Sequence, residues 1–137
     1  MQVSYPLPGV AFVHLQGDVD DYNSNELWAV AYPFLTNPSV RWALIDLVEC
    51  RNLGSSAMAL ISWFDRHLRR RGGGLMAITE GGREIDDLAR DNIEFMPDVR
   101  SAMAVVLPRL IFPLEVQVCL AACGEPWGEP SRHYSVC

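Results

Sequence analysis

The densest set of chemistry-bearing residues lies near the end of the chain, where Cys119-x-x-x-Cys123 is followed by His133-x-x-x-Cys137. Two thiols, an imidazole and a further thiol are the residue types of a four-ligand zinc site. The spacing is not that of a finger or a ribbon, and Gly124, Pro126, Gly128 and Pro130 fill the interval. A buried Cys119 on a strand followed by loop is the simpler reading, and no metal is expected. His14, His67 and His133 have no nucleophile at a recognisable spacing, and His67 reads as a solvent-facing helix residue. Gly72-Gly73-Gly74 follows a helix and precedes a strand, the reverse of a phosphate loop. Gly81-Gly82 is better placed, but Lys and Ser/Thr are missing from the positions a nucleotide loop requires. Asp86, Asp87 and Asp91 read as the solvated face of a short helix. These residues assemble no catalytic set, so no enzyme activity and no cofactor are expected.

At 137 residues the chain has single-domain length, with 50% hydrophobic and 20% charged residues. Its net charge of −6 argues against a nucleic-acid partner, which a basic stripe normally announces. The Arg69-Arg70-Arg71 run falls where a helix should end, and complementing that helix's dipole is its expected role. Met1 to Pro6 lacks the basic start and apolar run of a signal peptide. No stretch approaches the roughly 20 apolar residues of a membrane helix. Four cysteines without a disulfide rhythm suit a reducing compartment, so a cytoplasmic protein without membrane insertion is expected.

Apolar periodicity orders the chain. Val10 to Leu15 is a strand closed by Gly17. Asn23 or Ser24 is placed to cap a helix with the stripe Leu27, Val30, Ala31, Phe34 and Leu35, which Pro33 should kink or shorten. Trp42 to Leu47 reads as a strand buried on both faces. Ser55 or Ser56 then caps the clearest helix, whose core face is Ala57, Leu60, Ile61, Phe64 and Leu68 and whose stop is Gly72 to Gly74. Leu75 to Ile78 is a strand, Ile85 to Ala89 a short helix and Ile93 to Met96 a brief extended piece. Asp98 caps a last helix carrying Val99, Ala102, Met103, Val106 and Leu107. The alternation calls for an α/β domain on a mostly parallel sheet. Beyond Pro113, Leu114, Val116 and Val118 alternate with polar residues, so 114–121 is an expected edge strand ahead of a loop or disordered tail.

Several of these segments together resemble the STAS domain, the family of sulphate transporters and anti-sigma factor antagonists. The likeness runs through Gly17-Asp18-Val19-Asp20, Leu27, Ile45-Asp46-Leu47, Leu53-Gly54-Ser55-Ser56-Ala57-Met58, the Gly72 to Gly74 stop, Ile93-x-Phe95 and Ala102-Met103. It covers about residues 8 to 110, so residues 1–112 are expected to form the STAS domain and 113–137 a C-terminal extension. The resemblance implies a mixed, mostly parallel sheet with helices largely on one side.

It also implies a function. In anti-sigma factor antagonists a partner kinase phosphorylates a serine at the start of the central helix, which matches Ser56, with Ser55 beside it. The family has an aspartate before the serine pair and a glycine after it; this chain has Gly54 and Ala57. Asp20 matches the aspartate of the turn near that serine, where it serves the partner surface or simply the turn. Asp46 reads as a carboxylate bonded to nearby backbone N–H groups. Gly54, Ala57 and Met58 complete the expected surface. Trp63 lies off the core stripe beside Ala59, Arg66 and Arg70, and is expected to meet a partner, a second copy or the chain's own tail. The expected partner is an anti-sigma factor or serine kinase-type protein, with a homodimer through 114–121 as a further expectation. The alternative is a non-switching STAS scaffold, or an accessory subunit of a stress-signalling assembly or transporter ATPase.

Overall fold

The computed structural model describes residues 1–111. The expected strand 114–121 and the Cys119, Cys123, His133 and Cys137 set lie outside them. The chain divides into two compact units, Met1–Ala104 and Val105–Cys137, and the first carries the sheet.

Five strands form the main sheet in the order β1-β2-β4-β6-β7: β1 (Gln2–Leu7), β2 (Val10–His14), β4 (Trp42–Asp46), β6 (Gly74–Ile78) and β7 (Glu94–Met96). All neighbours are parallel except β1, which pairs antiparallel with β2 at one edge. Pro6 sits in the irregular stretch of β1 between Ser4 and Leu7, at an edge, where a missing N–H is tolerated. Two strands not anticipated, β3 (Gly17–Val19) and β5 (Cys50–Leu53), make a separate parallel pair. The helices are α1 (Ser24–Leu35), α2 (Ser55–Arg69), α3 (Asp86–Ala89) and α4 (Val99–Ile111), with a 3-10 turn at Glu80–Gly82. The mixed, mostly parallel α/β architecture expected from the sequence is the one observed.

Ala11, Val13, Ala43, Ile45, Leu75 and Ala77 form one core with Leu27, Ala31 and Phe34 of α1 and Ala57, Ile61, Phe64 and Leu68 of α2. The opposite parity, Val10, Trp42, Leu44, Met76 and Ile78, is buried as well. Burial of both parities is why these strands read as continuous apolar runs instead of alternating ones. Leu60, expected in the core, is only partly buried and packs at its margin. Pro33 is accommodated within α1, which ends two residues later. Asp98 does cap α4: its Oδ1 accepts the Ser101 N–H at 2.6 Å. The bonds from Ser101 hold the Asp98 carboxyl below the usual carboxylate range.

The α2 helix is tied to β6 by a buried carboxylate. Asp65, 2% exposed, accepts the Leu75 N–H at 2.9 Å and meets Arg69 Nε at 2.8 Å. After α2 the chain must pass close to β4. A Cβ on Gly73 would lie 1.7 Å from the Arg41 carbonyl oxygen, so no other residue fits. Arg71 departs from its expected role. Instead of serving the dipole of its own helix, it reaches the end of α1, which has no basic residue in its last turn. Its guanidinium donates to the carbonyls of Phe34 (3.1 Å), Asn37 (2.8 Å) and Val40 (2.9 Å), and to that of Leu35. His67 Nε2 stands 3.1 Å from the Leu35 oxygen, so it faces α1 and not solvent as expected.

Replacing Arg71 by Lys removes the planar fork that reaches several carbonyls at once, and should cost about 2 kcal/mol in urea unfolding. Asp65→Ala strands the Leu75 amide and should cost about 1–3 kcal/mol, while Asp65→Asn keeps an acceptor and should cost less. Burial pushes the Asp65 carboxyl up, against the opposing pull of the Leu75 N–H and Arg69. The folded protein therefore holds that proton more tightly than the unfolded chain. Wild type should gain stability relative to Asp65→Asn as pH falls through the raised pKa, a sign readable from paired unfolding curves across acid pH.

Candidate functional site

The short β3–β5 ladder builds the site. Its last rung pairs Val19 with Leu53, so the residues that follow, Asp20 and Gly54, emerge side by side. Gly54 N–H donates to the Val19 carbonyl at 2.7 Å. A Cβ on Gly54 would lie 3.1 Å from Asp20 Cα and 3.3 Å from the Val19 oxygen. That close approach explains the glycine where the family resemblance implies an aspartate: a side chain there requires the Asp20 backbone to move.

The Asp20 loop is held by its own polar side chains. Asp20 Oδ1 accepts the Tyr22 N–H at 2.9 Å, so the carboxylate serves the turn. Asn23 does not cap α1 through its side chain. Its Oδ1 takes the Asp20 N–H at 2.7 Å and its Nδ2 donates to the Asp18 carbonyl at 2.7 Å, spending the amide on the loop.

Neither Ser55 nor Ser56 is the cap of α2. Gly54 takes that position in an extended conformation (φ −71°, ψ 164°), so the serines become the first two helical residues. Gly54 has no side chain to accept the first-turn N–H groups, and no acidic residue stands in that turn. Ser55 is exposed and Ser56 half-buried. Ala57 is fully buried in the core, so its methyl faces inward and not a partner. Met58 is half-buried at the edge of the site. The structure thus brings Asp20, Gly54, Ser55 and Ser56 together with Met58 alongside. Trp63 stands apart, seven residues along α2 from Ser56, or about 10 Å of helix rise. It is 40% exposed and so is not packed inside the core.

Met58 also borders a hollow of about 490 Å³ lined by β5, Thr79, the 3-10 turn and α3. Arg51, Arg83 and Arg90 are balanced there by Glu80, Asp86 and Asp87, so it presents no single sign of charge. Cys50 lines it, but burial first and then the Asp18 carboxylate push its thiol up, leaving a weak nucleophile. Among the described residues no His, Cys, Asp and Glu group suits a metal. Parallel pairing of β2 with β4 sets His14 opposite Asp46, a neighbourhood invisible without the register. His14 Nδ1 lies 3.1 Å from Asp46 Oδ2, and its Nε2 lies 3.5 Å from Glu49. Asp46 Oδ1 also accepts the Val48 N–H at 3.0 Å, as expected.

The sequence reading also passed over Trp28 and Tyr32, whose i, i+4 spacing puts them on one face of α1. Trp28 meets Trp63 with ring centroids 5.4 Å apart, and Trp63 stacks on His67 at 5.3 Å.

The anti-sigma factor antagonist SpoIIAA in its unphosphorylated form matches with a TM-score of 0.60, over 79% of this chain and 96% of that one. The chain has a STAS-type fold. At 16% identity the likeness is one of fold. SpoIIAA, described as a Bacillus cell fate determinant, also matches in its phosphorylated form, at a TM-score of 0.49 and 16% identity over 55% of this chain and 68% of that one. No family model matches the chain, and no curated protein does. No helix among the described residues is long and apolar enough to cross a membrane.

Gly54→Asp, which writes the family residue into this chain, should lower stability by about 1–3 kcal/mol through crowding against Asp20. Thermal unfolding measures the loss, and shifted amide resonances at Asp20 and Tyr22 would locate it. Unchanged stability would mean the loop yields without strain.

Proposed function

We propose that this protein is a regulatory binding module of the anti-sigma factor antagonist kind, switched by phosphorylation of Ser56. The observation that carries the reading is the β3–β5 ladder, which delivers the Asp20 loop and the Gly54-Ser55-Ser56 start of α2 to one accessible corner. The partner is an anti-sigma factor or serine kinase-type protein, and Asp20, Ser55, Ser56 and Met58 form the surface it meets. A STAS-type fold shared with an anti-sigma factor antagonist supports this choice over other binding roles.

The physics of the switch is local. The first turn of α2 offers N–H groups and the positive end of a helix dipole, so a phosphate on Ser56 is tolerated by the domain itself. It adds about −1.5 to −2 charges near neutral pH beside a loop that already carries Asp20. A partner surface matched to the neutral hydroxyl meets an unmatched charge instead. Each tenfold loss of affinity takes only about 1.4 kcal/mol, which a single misplaced charge at an interface supplies.

Wild type, Ser56→Ala and Ser56→Asp proteins used as bait in lysate test the reading, with captured proteins identified by mass spectrometry. Wild type and Ser56→Ala should retain a kinase-type partner that Ser56→Asp loses. Equal retention by all three assigns Ser56 a purely structural place and the protein a constitutive scaffold role.

A further inference from the structure

The outer face of α1 breaks the usual rule for a surface helix, which sets charged residues opposite its core stripe. Of its twelve residues only Glu26 is charged. Trp28 (40% exposed), Tyr32 (55% exposed), Ala29 and Pro33 all lie toward solvent. Trp63 of α2 extends the patch, packing on Trp28 while remaining 40% exposed. Large aromatics half out of the core on adjoining helices form a contiguous apolar ridge, the composition of an interface centre and not of ordinary surface.

The ridge has electrically opposite ends. Trp28 meets Trp63 and Phe64 while Leu35 meets His67 and Arg71, so α1 and α2 run in the same direction. Asp21 and Glu26 stand at the end where the helices begin. Arg66 and Arg70 stand at the end where α2 finishes, on the exposed face that carries Trp63. All four are exposed, and among the described residues none has an ion-pair partner. A two-fold axis through the middle of such a ridge lays the acidic end of one copy over the basic end of the other, aromatics against aromatics.

We propose that the α1–α2 ridge is the interface of a homodimer, with Trp28, Tyr32 and Trp63 at its centre and Asp21/Glu26 of each copy facing Arg66/Arg70 of the other. The aromatic centre of this surface lies apart from the serine corner, although its acidic end adjoins the Asp20 loop, and the inference does not rest on the regulatory reading. Its size sets its strength. Helices of 12 and 15 residues rise about 18 and 22 Å, and two side by side present on the order of 400 Å². That is about half the share each partner gives to a standard interface, so the dimer is a reversible one that concentration controls.

Sedimentation of the full chain from about 1 µM to about 500 µM tests this. The weight-average mass should climb from 15.3 kDa toward twice that value. Trp63→Gln, and separately Arg66→Glu with Arg70→Glu, should each raise the dissociation constant about tenfold or more while thermal unfolding stays unchanged. The pair Asp21→Arg with Glu26→Arg should weaken the homodimer likewise. Mixing that protein with the Arg66→Glu/Arg70→Glu protein should restore association, because each reversed end then meets its complement. A monomer across the whole range overturns the proposal, as does a dimer that neither Trp63→Gln nor charge reversal weakens.

Discussion

The placement of α1 against α2 depends on one guanidinium. Arg71 stands just past the end of α2 and donates to carbonyls of Phe34 and Leu35 at the end of α1 and of Asn37 and Val40 in the following turn, adding to the turn's own bonds from Asn37 N–H to Phe34 and Val40 N–H to Asn37. A helix end buried against a neighbour needs such donors, and α1 has no basic residue in its last turn to supply them. Because one rigid fork serves several acceptors, it fixes position as well as energy. With the ends of the two helices locked, Trp28 must lie beside Trp63. At the other end, the β3–β5 ladder sets the Asp20 loop against Gly54.

What the sequence made legible follows from where the stabilising contacts lie. β2, β4 and β6 announce themselves because both faces are buried and every residue is apolar or nearly so. The core face of α2 is legible because its period is local. β3 and β5 were not, since Gly17-Asp18-Val19 and Cys50-Arg51-Asn52-Leu53 are short, largely polar and exposed. They are strands only because each finds the other across more than thirty residues of chain, a tertiary event that no local propensity records. β1 was missed for a related reason: it is an exposed edge, and Pro6 disguises it.

The capping expectations met the structure differently at each helix: Asn23 holds the cap position of α1 without a side-chain bond to the helix, Asp98 caps α4, and Gly54 displaces both serines from the cap of α2. Ser55, Ser56 and Asn23 are residues that cap helices, and propensity rightly nominates them. Gly54 takes the cap where the chain passes so close to Asp20 that a Cβ would lie 3.1 Å from its Cα, and the helix begins with both serines already inside it. Asn23 is drawn off by the unpaired backbone of its own loop. At Asn23 it is bonding within its own loop, and at Gly54 a close approach to Asp20, that stands where a side-chain cap was expected. The family resemblance named Asp20 and the serine pair, and the β3–β5 ladder sets them side by side however the cap is made. Trp63 was readable from its angle on the helix. Its companion Trp28 was not, because only the packing of α1 on α2 makes the two rings one surface.

Ser56 and Trp63 lie on the same helix, one in the serine corner and the other in the aromatic ridge. Their separation along α2 is about 10 Å, slightly more than the roughly 8 Å Debye length at physiological salt. A phosphate on Ser56 is therefore largely screened before it reaches the ridge centre, and the first-turn N–H groups absorb part of its field at the source. Apolar contact between rings carries no charge dependence of its own. On the two proposals the surfaces differ in what dominates them: one added charge at the serine corner, and aromatic area with charged ends at the ridge. Lowering the salt lengthens the reach of the phosphate and is the condition under which the two would begin to couple.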